Sequence, residues 1–194
     1  MLTLFLLWTA IPLIWCDSLI ITDFSSLSNN SLGFPQASLS FSTYRILSPS
    51  GVLMVPSSGS AYWYSQFHSN TKLACYSIPA TMSYLRITGA NTTSLTAQLR
   101  RFNVCPPSTL SLTVSSASSS NWTSDCNGNK LLDIPLSAFN PNSLTMLSRV
   151  SIMFPTTGAR YVLYKVSFES SAFNPAVCSS SLSTTASSTE SSSM

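Results

Sequence analysis

The chain predicts an all-β domain, an antiparallel β-sandwich with a disordered Ser/Thr-rich tail. Three observations predict it. Apolar residues recur with a period of two, turn residues separate these runs at short intervals, and no stretch sustains a 3.6-residue period beyond one turn.

The alternation is clearest in three runs. Across 83–88, Leu85 and Ile87 oppose Tyr84, Arg86 and Thr88. Across 94–100, Leu95, Ala97 and Leu99 oppose Thr96, Gln98 and Arg100. Across 149–154, Val150, Ile152 and Phe154 oppose Arg149, Ser151 and Met153. Each strand thereby fits one face to a core and the other to water, the pattern of antiparallel sheets. Further strands are expected at 19–24, 39–46, 52–55, 61–67, 131–136 and 161–169, with one helical turn at 143–147. Pro49-Ser50-Gly51, Pro56-Ser57-Ser58-Gly59, Gly89-Ala90-Asn91, Cys126-Asn127-Gly128-Asn129 and Thr157-Gly158 supply the turn chemistry between them.

The two ends differ from this middle. Residues 4–15 form an apolar run broken by Thr9 and Pro12. It is shorter than the ~20 residues that span a bilayer, so residues 1–16 read as a secretory signal peptide cleaved after Cys16. The sandwich domain is then 17–178. Residues 179–194 are almost all Ser, Thr and Ala. They cannot bury enough apolar surface to offset their ordering entropy, and resemble an O-glycosylated linker.

Only 8% of residues are charged, against about 25% in ordinary domains. Solubility therefore rests on hydroxyls, amides and glycans, with sequons at Asn29, Asn91 and Asn121. The net charge is +3, and the nine basic residues are scattered between Arg45 and Lys165. That scatter argues against nucleic acid, which needs basic charge gathered on one face. No apolar run after the leader is long enough to anchor the mature chain in a membrane. Removal of Cys16 leaves Cys75, Cys105, Cys126 and Cys178, an even set that reads as a disulfide framework with three connectivities. Chain order favours Cys105–Cys126, closing a Ser-rich excursion, and Cys75–Cys178, fastening the C-terminal segment.

The order of segments resembles the galactose-binding-like jelly-roll domains of fungal secreted and cell-wall-associated proteins, which are also found appended to polysaccharide deacetylases. The motifs that carry it are Leu19-Ile20-Ile21-Thr22-Asp23-Phe24, Gly51-Val52-Leu53-Met54-Val55-Pro56, Ala61-Tyr62-Trp63-Tyr64, Tyr84-Leu85-Arg86-Ile87-Thr88-Gly89, Ser94-Leu95-Thr96-Ala97-Gln98-Leu99 and Leu132-Asp133-Ile134-Pro135-Leu136-Ser137-Ala138-Phe139. The resemblance implies a jelly roll and carbohydrate binding. The chain departs from it in the last strand, where Tyr164-Lys165-Val166 stands in place of the family's Asp-Asn pair.

An enzyme is not expected. The carboxylates are Asp17, Asp23, Asp125, Asp133, Glu169 and Glu190, and nothing in the sequence pairs two of them as glycoside hydrolysis requires. His68 is the sole histidine, and no G-x-S-x-G elbow accompanies it. No metal or cofactor is expected: zinc lacks ligands, and Asp23 with Glu169 falls short of the six to eight oxygens calcium takes. The aromatics are the stronger lead. In 61–67, Trp63 and Phe67 are assigned inward, which turns Tyr62, Tyr64 and Gln66 outward. Tyr84 and Arg86 also point outward, so these five residues would line one polysaccharide-binding platform if their strands share a sheet. Trp122, in a polar loop, is expected to fold back onto the sandwich. The runner-up is a structural or adhesive surface protein whose glycosylated tail does the work.

The leader and the even cysteine set generate one prediction. The mature chain begins near Asp17 and has no free thiol. Intact mass with and without alkylation checks it, and any thiol alkylated before reduction would refute it.

Overall fold

The computed structural model describes residues 18–25, 34–37, 40–47, 51–67, 76–90, 94–102, 112–139 and 144–178. The leader, the tail, His68, Cys75, Cys105, Asn29 and Asn91 lie outside the described residues.

The described residues form these strands: β1 (Ser18–Thr22), β2 (Phe34–Ala37), β3 (Phe41–Ile46), β4 (Val52–Pro56), β5 (Ala61–Gln66), β6 (Tyr84–Gly89), β7 (Leu95–Phe102), β8 (Leu112–Ser119), β9 (Trp122–Ser124), β10 (Lys130–Pro135), β11 (Leu147–Phe154) and β12 (Tyr161–Glu169). They pair into two antiparallel sheets. A seven-stranded sheet has the order β3-β4-β12-β6-β10-β9, with β1 also on β12; a five-stranded sheet has the order β2-β5-β11-β7-β8. The fold is the expected all-β sandwich.

One core lies between the sheets. Leu85, Ile87, Leu132, Ile134, Val166 and Phe168 enter it from the larger sheet, and Trp63, Ala97, Leu99, Val150 and Ile152 from the smaller. Each large apolar side chain buried there contributes about 1.5–3 kcal/mol. Trp63 is fully buried and meets Phe24 edge-on at 5.3 Å. Phe24 has a positive φ of 55°, a conformation unfavourable for a bulky residue. The Thr22 hydroxyl accepts its N–H at 3.0 Å and holds that turn. Phe154 and Tyr161 stack edge-on between the sheets at 4.8 Å.

Two local devices set the phase of the larger sheet. Between β3 and β4, Gly51 has φ +116°, and a Cβ there would sit 2.8 Å from the Tyr164 ring, so only glycine makes that turn. In β12 the register against β6 slips between Leu163 and Lys165. The slip lets Tyr161 and Leu163, and then Val166 and Phe168, all be buried; a bulge supplies that rephasing.

The nine expected strands are all present, and β2, β8 and β9 join them. The expected turn at 143–147 is met in part: Leu144 is in a 3-10 turn, residue 143 lies outside the described residues, and the strand begins at Leu147. Leu147 opens β11 and exchanges two backbone hydrogen bonds with Tyr76, at 2.6 and 3.1 Å, which claims it for a ladder. A further 3-10 turn, not expected, forms at Leu136–Ala138. There the Leu136 N–H is held by the Ser83 carbonyl at 2.8 Å. Among the described residues, no helix is long and apolar enough to cross a membrane.

The expected disulfide pairing is also corrected. Cys126 is bonded to Cys178, which excludes both Cys105–Cys126 and Cys75–Cys178. The path of the chain after β12 explains it. The Ser171 carbonyl accepts from Arg86 of β6 at 3.1 Å, and the Phe173 N–H donates to Asp133 of β10 at 2.8 Å. The segment thus crosses the larger sheet strand by strand and arrives at the β9–β10 turn, where Cys126 sits. Asn174 then caps the turn carrying Cys178, its Oδ1 accepting from the Ala176 N–H at 3.0 Å.

Non-reduced peptide mapping should therefore recover a Cys126–Cys178 cross-link. The double Cys126→Ser, Cys178→Ser variant should lose about 2–4 kcal/mol of unfolding free energy. A peptide joining Cys178 to Cys75 would refute the pairing.

Candidate functional site

Strand β5 alternates as the sequence suggested. Ala61, Trp63 and Ser65 are buried, while Tyr62, Tyr64 and Gln66 face out from the five-stranded sheet. Neighbouring strands complete that face in three rows fixed by the ladder. Tyr62 lies opposite Met153, which lies opposite Thr96; Tyr64 opposes Ser151, which opposes Gln98; Gln66 opposes Arg149, which opposes Arg100.

The rings of Tyr62 and Tyr64 lie 5.7 Å apart and tilted by 33°. The Arg149 guanidinium carbon sits 4.4 Å from the centre of the Tyr64 ring, a cation–π contact. Burial lowers the pKa of Arg149 from its ordinary value and the charge of Arg100 lowers it further, against the opposing effect of the two tyrosines. Ser151 is buried between Tyr64 and Gln98. Beyond β7, the Thr96 and Ser118 hydroxyls hydrogen-bond at 2.7 Å. The result is a face of two tilted aromatic rings bordered by amides, hydroxyls and guanidiniums. Such a surface suits a ligand with apolar faces and a hydroxylated rim.

Tyr84 and Arg86 are not part of it. Both were correctly read as outward, but β6 belongs to the seven-stranded sheet. Outward from that sheet is the opposite side of the sandwich, beyond two sheets packed about 10 Å apart. Tyr84 lines a separate groove with Met82, Pro135, Leu136 and Leu144. Arg86 makes a bidentate pair with Asp133, at 2.6 and 2.8 Å, and an ion pair with Glu169 at 3.7 Å. Glu169 also accepts from the hydroxyls of Ser18 at 2.8 Å and Ser167 at 2.5 Å, and Lys165 lies 3.6 Å from it. The arginine is a structural tie.

The structure thus brings together two carboxylates that the sequence left unpaired, Asp133 and Glu169, with Arg86 between them. Asp23 is not near this cluster by the ladder. The antiparallel β1–β12 pairing sets Ser18 opposite Glu169 and Thr22 opposite Val166, so Asp23 follows the other end. Its carboxylate accepts from the Ser25 hydroxyl at 2.6 Å and amide at 2.9 Å, which lowers its pKa. Among the described residues, no group of three His, Cys, Asp or Glu side chains is arranged to hold a metal.

Arg149, Arg100, Gln98, Thr96 and Met153 are the face residues that sequence reasoning did not assign to a site. Their outward phase was legible; the neighbourhood of their strands with β5 was not. Trp122 is half-buried and packs against the core, as expected, but it opens strand β9 opposite Leu132 and does not lie in a loop. Asn121 beside it is exposed.

No family model matches the chain, and no curated protein matches it. Solved structures do. A family 30 carbohydrate-binding module of a cellulosomal cellulase of Clostridium thermocellum aligns with a TM-score of 0.52 at 10% identity, covering 78% of this chain and 96% of that one. A family 11 module of another cellulosomal cellulase of the same organism aligns at 0.49 and 12% identity, covering 78% and 94%. At 10% identity the likeness to the family 30 module is one of fold, the β-sandwich.

Arg86 and Asp133 are mostly buried, with side-chain exposures of 13% and 14%. Removing one partner of such a pair strands the other charge. Asp133→Ala is expected to lower the unfolding free energy in urea by about 3 kcal/mol. A loss below about 1 kcal/mol, the surface-pair range, would show that the tie is screened by water.

Proposed function

We propose that the chain is a secreted, non-catalytic module that binds a cell-wall polysaccharide through the outward face of the five-stranded sheet. The observation that carries this reading is the Tyr62–Tyr64 pair, held at a fixed tilt and framed by Gln66, Gln98, Thr96 and Arg149. Two rigid rings lose little entropy on binding and offer flat apolar area to sugar C–H faces, while the surrounding groups can hydrogen-bond hydroxyls. The sandwich shared with a carbohydrate-binding module supports the same reading.

The four described carboxylates support a non-catalytic role. Asp23 and Asp125 cap their own turns, and Asp133 and Glu169 are held by Arg86. A glycosidase keeps two carboxyl groups open to the scissile bond. Secretion rests on the leader at 1–16, the disulfide and the exposed sequon at Asn121, which we assign as a glycan acceptor.

Retention of the recombinant domain on a panel of insoluble wall polysaccharides tests the reading. Tyr64→Ala should weaken retention by about 1–3 kcal/mol, the range of an interface anchor, and leave the fold intact. Tyr84→Ala, on the opposite sheet, should leave retention unchanged. A lower Tm with unaltered retention in Tyr64→Ala would make the ring packing and refute the site.

A further inference from the structure

The strands of the five-stranded sheet contain Arg100, Arg101 and Arg149 and no carboxylate. Arg100 and Arg149 are direct partners on the β7–β11 ladder, both on the outward face. Like charges placed opposite one another destabilise a sheet. The rest of the described chain does not relieve this. Among the described residues neither Arg100 nor Arg149 is ion-paired, while Asp133 and Glu169 on the other sheet are taken by Arg86 and Lys165. Asp23 and Asp125 are engaged in their turns, and Asp17 and Glu190 lie outside the described residues. The Arg100 Nε is buried with no hydrogen-bond partner among the described residues.

A chain with only six acidic residues thus sets two guanidiniums side by side, next to its aromatic pair, without a counter-charge among the described residues. A neutral sugar would leave that repulsion in place. A carboxylate would relieve it, and the planar guanidinium fork matches a carboxylate bidentately. The Tyr64 ring under Arg149 holds one of these forks in position. We propose that the saccharide bound here is a polyuronate, one carboxylate being received by Arg149 and Arg100 while Tyr62 and Tyr64 pack on neighbouring rings. This rests on the reading that this face binds polysaccharide, and it names the class.

Affinity electrophoresis separates the two ideas. The gels contain polygalacturonate, its fully methyl-esterified form, a neutral mixed-linkage β-glucan, or dextran sulfate. Polygalacturonate should be bound at least about tenfold more tightly than the ester or the neutral glucan, and the gap should shrink in about 0.5 M NaCl. Arg100→Gln and Arg149→Gln should each lose about tenfold toward polygalacturonate, with Tm unchanged or raised because a like-charge contact is gone. Equal binding of acid, ester and neutral glucan, all weakened by Tyr64→Ala, would overturn the polyuronate while sparing the sugar face. Dextran sulfate held as tightly as polygalacturonate would reduce the arginines to a general anion patch and also overturn it. Retention on no gel, or retention on polygalacturonate indifferent to Tyr64→Ala, would sink both.

Discussion

Arg86 is where four separate stretches of the chain meet. It stands on β6, grips Asp133 on β10, reaches Glu169 at the end of β12 and donates to the Ser171 carbonyl beyond it. Glu169 in turn takes the hydroxyl of Ser18, at the start of β1. A mostly buried guanidinium must be compensated, and its partners must then be held where they are. That requirement fixes the first strand, the last strand and the C-terminal crossing segment together. The Cys126–Cys178 bond completes the crossing at the far edge of the sheet. One consequence is positional: the outward side of the larger sheet around Arg86 is taken up by its own network. The smaller sheet is the one that sets two tyrosine rings side by side on its outward face.

Strand phase was legible from sequence because a half-buried strand writes its burial into its residue types. Trp63, Leu85, Ala97 and Ile152 each face the core as their alternation required. The strands that escaped notice lack that contrast. β2 is four residues long and contains a proline; β9 has three residues. β8 is Ser or Thr at five of its eight positions, and pairs on one side only, with β7. An edge strand that packs small residues such as Ala117 leaves no strong apolar signature. The tertiary ladder, which sequence periodicity does not encode, decides such segments.

The candidate site was legible by halves for a related reason. Alternation says which way a side chain points but not which sheet its strand joins. Tyr62, Tyr64 and Gln66 were placed on an outward face and are there. Tyr84 and Arg86 were also outward, yet β6 pairs with β10 and β12 while β5 pairs with β2 and β11. The same blindness hid the true neighbours, since Arg149 and Gln98 already carried the right phase. It also misdirected the cysteines. Proximity along the chain suggested Cys105 for Cys126, whereas the crossing of residues 170–178 over β6 and β10 brings Cys178 to it.

Sparse charge makes the remaining charges informative. In a chain solvated mainly by hydroxyls, a carboxylate or guanidinium is not needed merely to keep the surface wet. Asp125 binds the Asn127 and Asn129 amides and so shapes the β9–β10 turn that carries Cys126. Asp133 and Glu169 neutralise Arg86. These assignments leave the larger sheet with the acidic groups and the smaller sheet with arginines alone. Segregation of that kind costs stability where Arg100 faces Arg149, and the cost falls on the face with the tyrosine pair. Local rules tend to be broken at functional positions, where a sequence accepts instability for a contact that the isolated chain does not make. The two guanidiniums and the two rings therefore form one surface, and on the proposed reading the rings would set the position of a bound saccharide and the positive charge would select acidic ones.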